Sequence, residues 1–545
     1  MYDRFGTDAN SILKLSSTDY VYTQDVPDGV IDLGRCGDNL TWTLYSDGEL
    51  VIEGTGAMWD YSSNYDSEKG KYVTTAPWEE YSDAMTKLTL TDSVTSIGEM
   101  AFYNCSGFTG YLVIPDSVTS IGSWAFEGCS GFTGYLVIPD SVTSIDIWAF
   151  SGCSGFTGDL VIPDSVTSIG GSAFSGCSSF TGDLVIPDSV TSIGSYAFYY
   201  CRGFTGNLVI GKGVTTIGDY AFHGCSGFTG DLVIPDSVTS IGVAAFYNCS
   251  GFTGNLVIGK DVTSIGERAF YGCSGFTGDL VIPDSVTTIG DDAFRWCGGF
   301  TGNLVVGKGV TTIGEWAFYN CSGFTGDLVI PDSVTSIGNY AFSGCSSLTK
   351  ATIYTTDATF GTAIFSGTSS DFTIYGYAGS TAETYANANG HKFVALDAFT
   401  LSGALTTYLS ATDDVTLSLF APDTTEPAYT ITLAGDATEY KFDAVAPGTY
   451  TMVVKKKNHV TREYELVIGE EDVTQDVKIH LIGDLDGNGR VNTRDWNAVR
   501  DHINKSAVIT DSYKFACADI DGNGKVNTRD WNAIRDHINK SNPLW

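Results

Sequence analysis

Cysteine recurs at positions 105, 129, 153, 177, 201, 225, 249, 273, 297, 321 and 345, a ruler of 24 residues that only Cys36 and Cys517 escape. A period of that length means one small supersecondary unit used repeatedly. Each unit reads like LVIPDSVTSIGSWAFEGCSGFTGY, Leu112 to Tyr135: a short β-branched strand, a Pro-Asp or Gly-Lys turn, a second short strand and an AFxxC turn. Eleven units run from about Thr86 to Thr349. One unit cannot bury its Leu, Ile, Val and Phe alone. Coils stacked at a strand spacing of ~4.8 Å share a continuous core, which predicts a rod roughly 50 Å long. Leu112, Ile114, Val118, Ile121, Ala125, Phe126, Cys129 and Phe132 mark positions that hardly vary between units, as inward-pointing ladders require.

The cysteine ladder reads most simply as a row of small buried hydrophobes. Neighbouring coils would also bring the Cα atoms within reach of a disulfide, but an odd number of rungs cannot all pair, and no CxxC or Cys/His cluster offers a metal site. Since the invariant columns are core, information for a partner lies in the variable ones. The columns flanking AF, expected to project from a helical turn, carry Trp124, Trp148, Tyr196, Tyr220, Trp316 and Tyr340 on one side. On the other they carry Tyr103, Tyr199, His223, Tyr247, Tyr271, Arg295 and Tyr319. Such aromatics either stack on sugar rings or fill a protein interface, which makes the first six the candidate ligand-binding set, or they pack between coils and cover an edge. The turn column after the first strand begins with Asp92, Asp116, Asp140, Asp164 and Asp188, then alternates Lys212, Asp236, Lys260, Asp284, Lys308 and Asp332. That order predicts an acidic stripe that either stays solvated or attracts a cation or a basic partner, followed by a ladder of exposed ion pairs.

The IPDSVTSIGxxAFxxC unit resembles the BspA-type leucine-rich repeat of bacterial surface proteins. CGDNLTWTLYSDGELVIEGTGAMWDY (Cys36 to Tyr61), followed by APWEEY, resembles the β-rich cap that precedes such repeats, and DFTIYGYAGSTAETYANANGHKFVAL (Asp371 to Leu396) resembles the matching C-terminal cap. The resemblance covers about residues 31 to 397. It implies a capped leucine-rich-repeat solenoid that serves adhesion or binding and not catalysis.

Beyond the cap the ruler disappears. From Asp413 to Leu481 short apolar strands alternate with Gly, Pro and Asp turns, the pattern of a small β-sandwich. YKFDAVAPGTYTMVVKKKNH resembles the carboxypeptidase-regulatory-like or prealbumin-like fold, which implies a spacer. The expected division is an N-terminal segment (1–30), a β-rich cap (31–85), the solenoid (86–348), a second cap (349–397), the sandwich (398–481) and a terminal module (482–545).

The terminal module holds DLDGNGRVNTRDWNAVRDHINKS from Asp484 and, 35 residues later, the near-copy DIDGNGKVNTRDWNAIRDHINKS from Asp519. The calcium-loop template is D-x-[DN]-x-[DN]-G, with a backbone carbonyl at position seven and a carboxylate at twelve. The first copy offers Asp484, Asp486, Asn488, the Arg490 carbonyl, Asn492 at position nine and Asp495. The second offers Asp519, Asp521, Asn523, the Lys525 carbonyl, Asn527 and Asp530. Two calcium ions are therefore expected. A standard EF-hand has Glu at twelve and a helix before the loop, whereas here Asp fills twelve and LIG or ACA precedes. That departure, doubled, resembles a type I dockerin, a small α-helical module that plugs proteins into cohesins of cellulosomes or cell surfaces. The resemblance implies cohesin contacts at Thr493, Arg494, Arg500, Asp501 and Lys505, and at Thr528, Arg529, Arg535, Asp536 and Lys540. Val499 and Ile503, four apart on one helix face, are the expected small core.

The formal net charge of -35 repels phosphate backbones and anionic lipid, so nucleic acid is not an expected partner. No apolar run approaches the ~18 residues of a membrane span, so no membrane insertion is expected. The start, MYDRFGTDANSILKLSS, lacks a secretory pattern, and the N-terminus is expected to be trimmed or incomplete. His223, His391, His459, His480, His502 and His537 form no HExxH, and neither GxSxG nor GxxxxGK[ST] occurs. The expectation is a mainly β, non-catalytic, extracellular binding protein. Its rod would hold a polysaccharide or protein ligand, and its dockerin would attach it to a cellulosome-like scaffold or cell surface. The alternative is an enzyme or enzyme inhibitor delivered by the same plug, its catalytic domain cryptic or missing upstream, since a glycosidase carboxylate pair leaves no sequence signature.

Overall fold

The β-branched pairs of each unit become short strands because a neighbouring coil offers the same residues one strand spacing away. The structure, a computed structural model, describes residues 28–68, 70–396, 399–408, 413–422, 424–469, 471–487, 490–520 and 524–539, with short strands at Leu13–Lys14 and Val21–Tyr22. The chain divides into two compact units between Val394 and Ala395.

In the first unit, Ser120–Ile121 pairs in parallel and in register with Ser144–Ile145, and the pattern continues into a thirteen-stranded sheet from Gly56–Ala57 to Thr359–Phe360. Strands such as Leu112–Val113 and Leu136–Val137 form a second, interrupted layer. A constant 24-residue period places each side chain on its own copy. Phe126 lies on Phe150 with ring centres 5.3 Å apart, and Phe132 on Phe156 at 5.1 Å. One phenylalanine stack is closed by Trp78 of APWEEY against Phe102 at one end and by Phe365 against Phe372 and Tyr385 at the other. The expected core positions Leu112 through Phe132 are all essentially buried.

All thirteen cysteines are free and buried. Each repeat thiol from Cys129 to Cys345 donates its S–H to the carbonyl of the phenylalanine 27 residues earlier, as Cys129 does to Phe102 at 3.0 Å. Burial pushes these thiols up, Cys345 to about 12. The sequence alone left disulfide pairing open. In the structure the column is a row of buried weak donors.

The N-terminal cap is a four-stranded sheet that includes Leu40–Tyr45 and Glu49–Gly54. At the other end the solenoid adds one shorter coil, Lys350–Ile353 with Thr359–Phe360, before helix α1 (Thr381–Asn389) and the closing strand Lys392–Ala395. The charged turn column departs from expectation. Asp188, Asp236 and Asp284 accept the backbone N–H of Lys212, Lys260 and Lys308 one coil on, at 2.7 to 3.0 Å. In that column one ion pair forms among the described residues, Lys260 to Asp236 at 3.2 Å, both exposed. Tying down backbone outranks charge pairing here.

The second unit begins as two four-stranded sheets. Phe399–Thr406 and Glu439–Val445 belong to one, and Val415–Phe420, Gly448–Lys456 and Arg462–Ile468 to the other. They close on Leu401, Leu417, Leu419, Met452 and Val454. Helices α2 (Thr493–Ile503), α3 (Ser512–Ala518) and α4 (Thr528–Ile538) follow. Their core is Leu485, Val499, Cys517, Ala518 and Ile534, with Ile503 partly buried against it. No helix among the described residues is long and apolar enough to cross a membrane.

Candidate metal centre and binding surface

Helix α2 starts where it does because Asn492 and Asp495 form a capping box: the Asn492 side chain accepts the Arg494 N–H at 2.9 Å and Asp495 accepts the Asn492 N–H at 2.9 Å. The other Asp495 oxygen accepts the N–H of Leu485 at 2.8 Å and of Asp486 at 3.3 Å, folding the loop back on the helix. One carboxylate oxygen each from Asp484, Asp486 and Asp495 then lie within 4.8 Å of one another, Asp484 and Asp495 buried and Asp486 exposed. Burial pushes the Asp495 carboxyl up, while the backbone N–H groups of Asn492, Asp486 and Leu485 pull it back. Three oxygens of like charge held this closely, two away from water, fit a hard divalent cation that neutralises them. The Arg490 carbonyl accepts from the Asn492 amide at 3.0 Å. At position nine the Asn492 side chain thus also caps the helix, its Oδ1 taking the Arg494 N–H.

The second loop repeats the design. Asn527 caps α4 through the Arg529 N–H at 2.9 Å, and Asp530 accepts the N–H of Asn527 at 2.9 Å and of Ile520 at 2.8 Å. Asp519 accepts the Gly524 N–H at 2.7 Å, and the Lys525 carbonyl accepts from Asn527 at 3.1 Å. Asn488, Asp521, Asn523 and Lys540 lie outside the described residues. One further difference from expectation is that the second loop does have a helix before it, α3, so ACA ends a helix.

The two N-caps have φ of -144° and -146°, and the Trp496 and Trp531 rings stack across the pair at 5.1 Å. Thr493 and Arg494, with Thr528 and Arg529, are exposed at the two helix starts. Arg500 pairs with Asp501 and Arg535 with Asp536, each at 2.7 Å. Lys505, two residues beyond the end of α2, lies in the left-handed region, with φ of 59°.

Sequence reasoning missed what holds the first loop. Tyr408 of the sandwich donates its hydroxyl to the Gly487 carbonyl at 2.7 Å. His480 lies so close that a Cβ on Gly487, whose φ is 64°, would meet its ring at 2.3 Å. Tyr513 of α3 accepts the His480 N–H at 2.8 Å and donates to the Val460 carbonyl at 3.1 Å, with Arg462 over its ring. The signal was aromatic and basic residues flanking the module boundary, which alternation had absorbed into strands.

In the solenoid, the column of Trp124, Trp148, Tyr196, Tyr220, Trp316 and Tyr340 is not on a helical turn. Every member has positive φ, 53° to 61°. A non-glycine residue there costs about 1–2 kcal/mol, and each is held by an N–H bond to the next coil, as Tyr196 to the Asp219 carbonyl at 2.8 Å. Tyr196 and Tyr220 stack face to face at 4.7 Å, and Trp316 and Tyr340 more loosely at 6.1 Å. The second column is more continuous: Tyr199 leans on His223 at 4.9 Å, His223, Tyr247 and Tyr271 stack at 4.5 and 4.6 Å, and Arg295 extends the row to Tyr319.

The model of the BspA type leucine rich repeat region matches residues 80–205, 157–277, 191–322 and 263–391, in six copies. The chain belongs to that family. The type I dockerin domain matches residues 482–539 of this BspA-type chain. Among solved structures, a leucine-rich repeat protein from Bacteroides ovatus is 22% identical, with 66% of this chain and 99% of that one covered at a TM-score of 0.37. One from Eubacterium ventriosum is 24% identical, with 58% and 95% covered at 0.33. A chain of a type II cohesin–X-dockerin complex from Acetivibrio cellulolyticus is 20% identical, with 26% and 94% covered at 0.14. No curated protein matches the chain. Leucine-rich repeats and dockerins are non-catalytic modules, type I dockerins bind calcium, and the pair points to a secreted or surface binding protein.

Proposed function

We propose that this protein is a non-catalytic adhesion or binding component whose solenoid holds a ligand and whose dockerin, folded around two calcium ions, docks to a cohesin on a cellulosome-like scaffold or cell surface. Asp484, Asp486, Asn488, Asn492 and Asp495 with the Arg490 carbonyl hold one ion, and Asp519, Asp521, Asn523, Asn527 and Asp530 with the Lys525 carbonyl hold the other. Calcium supplies the charge that lets the carboxylates converge, and so fixes the start of each helix. The cohesin faces are Thr493, Arg494, Arg500, Asp501 and Lys505 on one helix and Thr528, Arg529, Arg535, Asp536 and Lys540 on the other.

The observation that carries this reading is the matched pair of capped helices, each presenting an exposed Thr-Arg start; the Arg494 side chain is 82% exposed. Equivalent faces allow docking in two orientations. The test is calorimetric titration of the full chain with a panel of cohesins, with calcium and with chelator. Binding that needs calcium is expected. It should survive alanine at Thr493 and Arg494 alone and vanish when Thr528 and Arg529 are changed too. Binding to no cohesin, or equal binding in chelator, would overturn the reading.

A further inference from the structure

The turn before each repeat cysteine is also left-handed, and in nine of eleven coils its residue is Gly or Asn, the types that tolerate it best. The two exceptions are Tyr200, with φ of 56°, and Trp296, with φ of 65°. Bulky aromatics kept in a strained conformation point to function. The two stand four coils apart, roughly 19 Å at the ~4.8 Å strand spacing, and are 36% and 46% exposed. Between them the column holds only Gly224, Asn248 and Gly272. The Tyr200 ring lies down on Gly224, where a Cβ would meet it at 2.3 Å.

This low strip has polar groups on both sides. Along one runs the row of Tyr199, His223, Tyr247 and Tyr271. Because those rings spend their faces on one another, they offer edges and hydroxyls rather than stacking planes. Along the other run Ser226, Ser250 and Ser274, all exposed. Trp296 stands nearly perpendicular to Tyr319 at 5.8 Å between ring centres and leaves almost half of its surface exposed.

Tyr, Ser, Asn and Trp also build protein-binding loops, so composition alone does not choose the ligand. Periodicity does. The strip repeats one arrangement at each coil, and a folded partner has no such repeat, whereas an extended sugar chain has one of similar length. Charge narrows the class. Of the three arginines of the repeats, Arg202 lies over the Tyr200 ring at 4.4 Å, while at the other end Asp292, 3% exposed, takes both Arg295 at 2.9 Å and Arg268 at 3.3 Å, and Glu267 takes Arg268 at 2.8 Å. With two arginines paired and a chain of net charge -35, an anionic polymer is repelled.

We propose that the strip between Tyr200 and Trp296 binds a linear, uncharged glycan laid lengthwise along the solenoid. Trp296 is the stacking platform, and Asn248, Tyr247, Tyr271 and Ser250 are the hydrogen-bonding row. The proposal rests on the reading of the solenoid as the ligand-binding part.

The test titrates the calcium-loaded full chain with cellohexaose, xylohexaose and mannohexaose, with polygalacturonate as the anionic arm. One neutral hexaose or more should bind, and polygalacturonate should not. Trp296→Asn and Tyr200→Gly restore the usual residues of this column, so both variants should fold at least as well as the parent. Trp296→Asn should weaken binding at least tenfold and Tyr271→Phe severalfold, while Tyr103→Phe, outside the strip, should not change it. No binding of any neutral hexaose at millimolar concentration overturns the proposal, as does binding that survives the Tyr200→Gly, Trp296→Asn double variant or a preference for polygalacturonate. A cohesin titration on the same sample separates the two readings: intact docking without glycan binding sinks this proposal and leaves the docking function standing.

Discussion

The two loops of the dockerin are nearly the same sequence in different surroundings. In the first, Asp484 is fully buried, the Gly487 carbonyl takes the Tyr408 hydroxyl, and His480 closes over the turn. In the second, Asp519 is half-buried and the loop follows α3. Identical donors thus sit once against the sandwich and once on their own helix. The difference teaches that a metal loop's sequence sets what it holds, while its neighbours set what else depends on it. Loop one should couple calcium to the sandwich, and loop two should couple it to the helices alone.

The largest effect expected is from calcium removal. Chelation should abolish the helical signal of α2 to α4 in circular dichroism and leave the melting of the solenoid unchanged, because calcium at 100 times its dissociation constant contributes about 2.7 kcal/mol per site. An unchanged helical signal would break the comparison at its root. Next, Asp484→Asn should lower the sandwich melting temperature by several degrees, whereas Asp519→Asn should lose one ion and leave the sandwich alone; equal effects would erase the distinction. Tyr408→Phe should then cost about 1 kcal/mol of stability in chemical denaturation with calcium present, and nothing once calcium is removed.

The smallest effect concerns pH. His459 accepts the Tyr408 N–H on Nε2 at 3.0 Å and faces the Lys457 carbonyl with Nδ1 at 2.9 Å, an arrangement that needs the neutral ring. Burial lowers its pKa, with the Lys457 carbonyl pulling it back and Lys456 adding to the lowering. Between the ordinary value of 6.5 and the lower folded one, the unfolded chain binds a proton that the folded chain does not. The contribution is therefore complete above that value and declines as pH falls below it. Melting temperature should drop between pH 7 and 6, and the slope should flatten in His459→Asn.

The ladders were legible because a packing solution repeated eleven times prints itself on the sequence: Phe126 and Ile121 could only be core. The donor set of the loops was equally plain, since hard-cation chemistry needs those residues at that spacing. The left-handed turns were not. Trp124 and Tyr196 give no hint of positive φ, because the bonds that hold them there come from the next coil and not from local propensity. The Tyr408, His480 and Tyr513 contacts were hidden for a related reason, as they join segments that local patterning assigns to different modules. The ion-pair ladder at Lys212 to Lys308 failed because a backbone N–H one coil on competes for the same carboxylate.

The sealed thiols make the solenoid its own gauge of integrity. Each S–H from Cys129 to Cys345 is spent on a phenylalanine carbonyl and shut away from solvent, so a thiol reagent meets a cysteine only when its coil has opened. Counting labels per chain by mass spectrometry counts opened coils, and the position of the first label tells from which end the stack unzips.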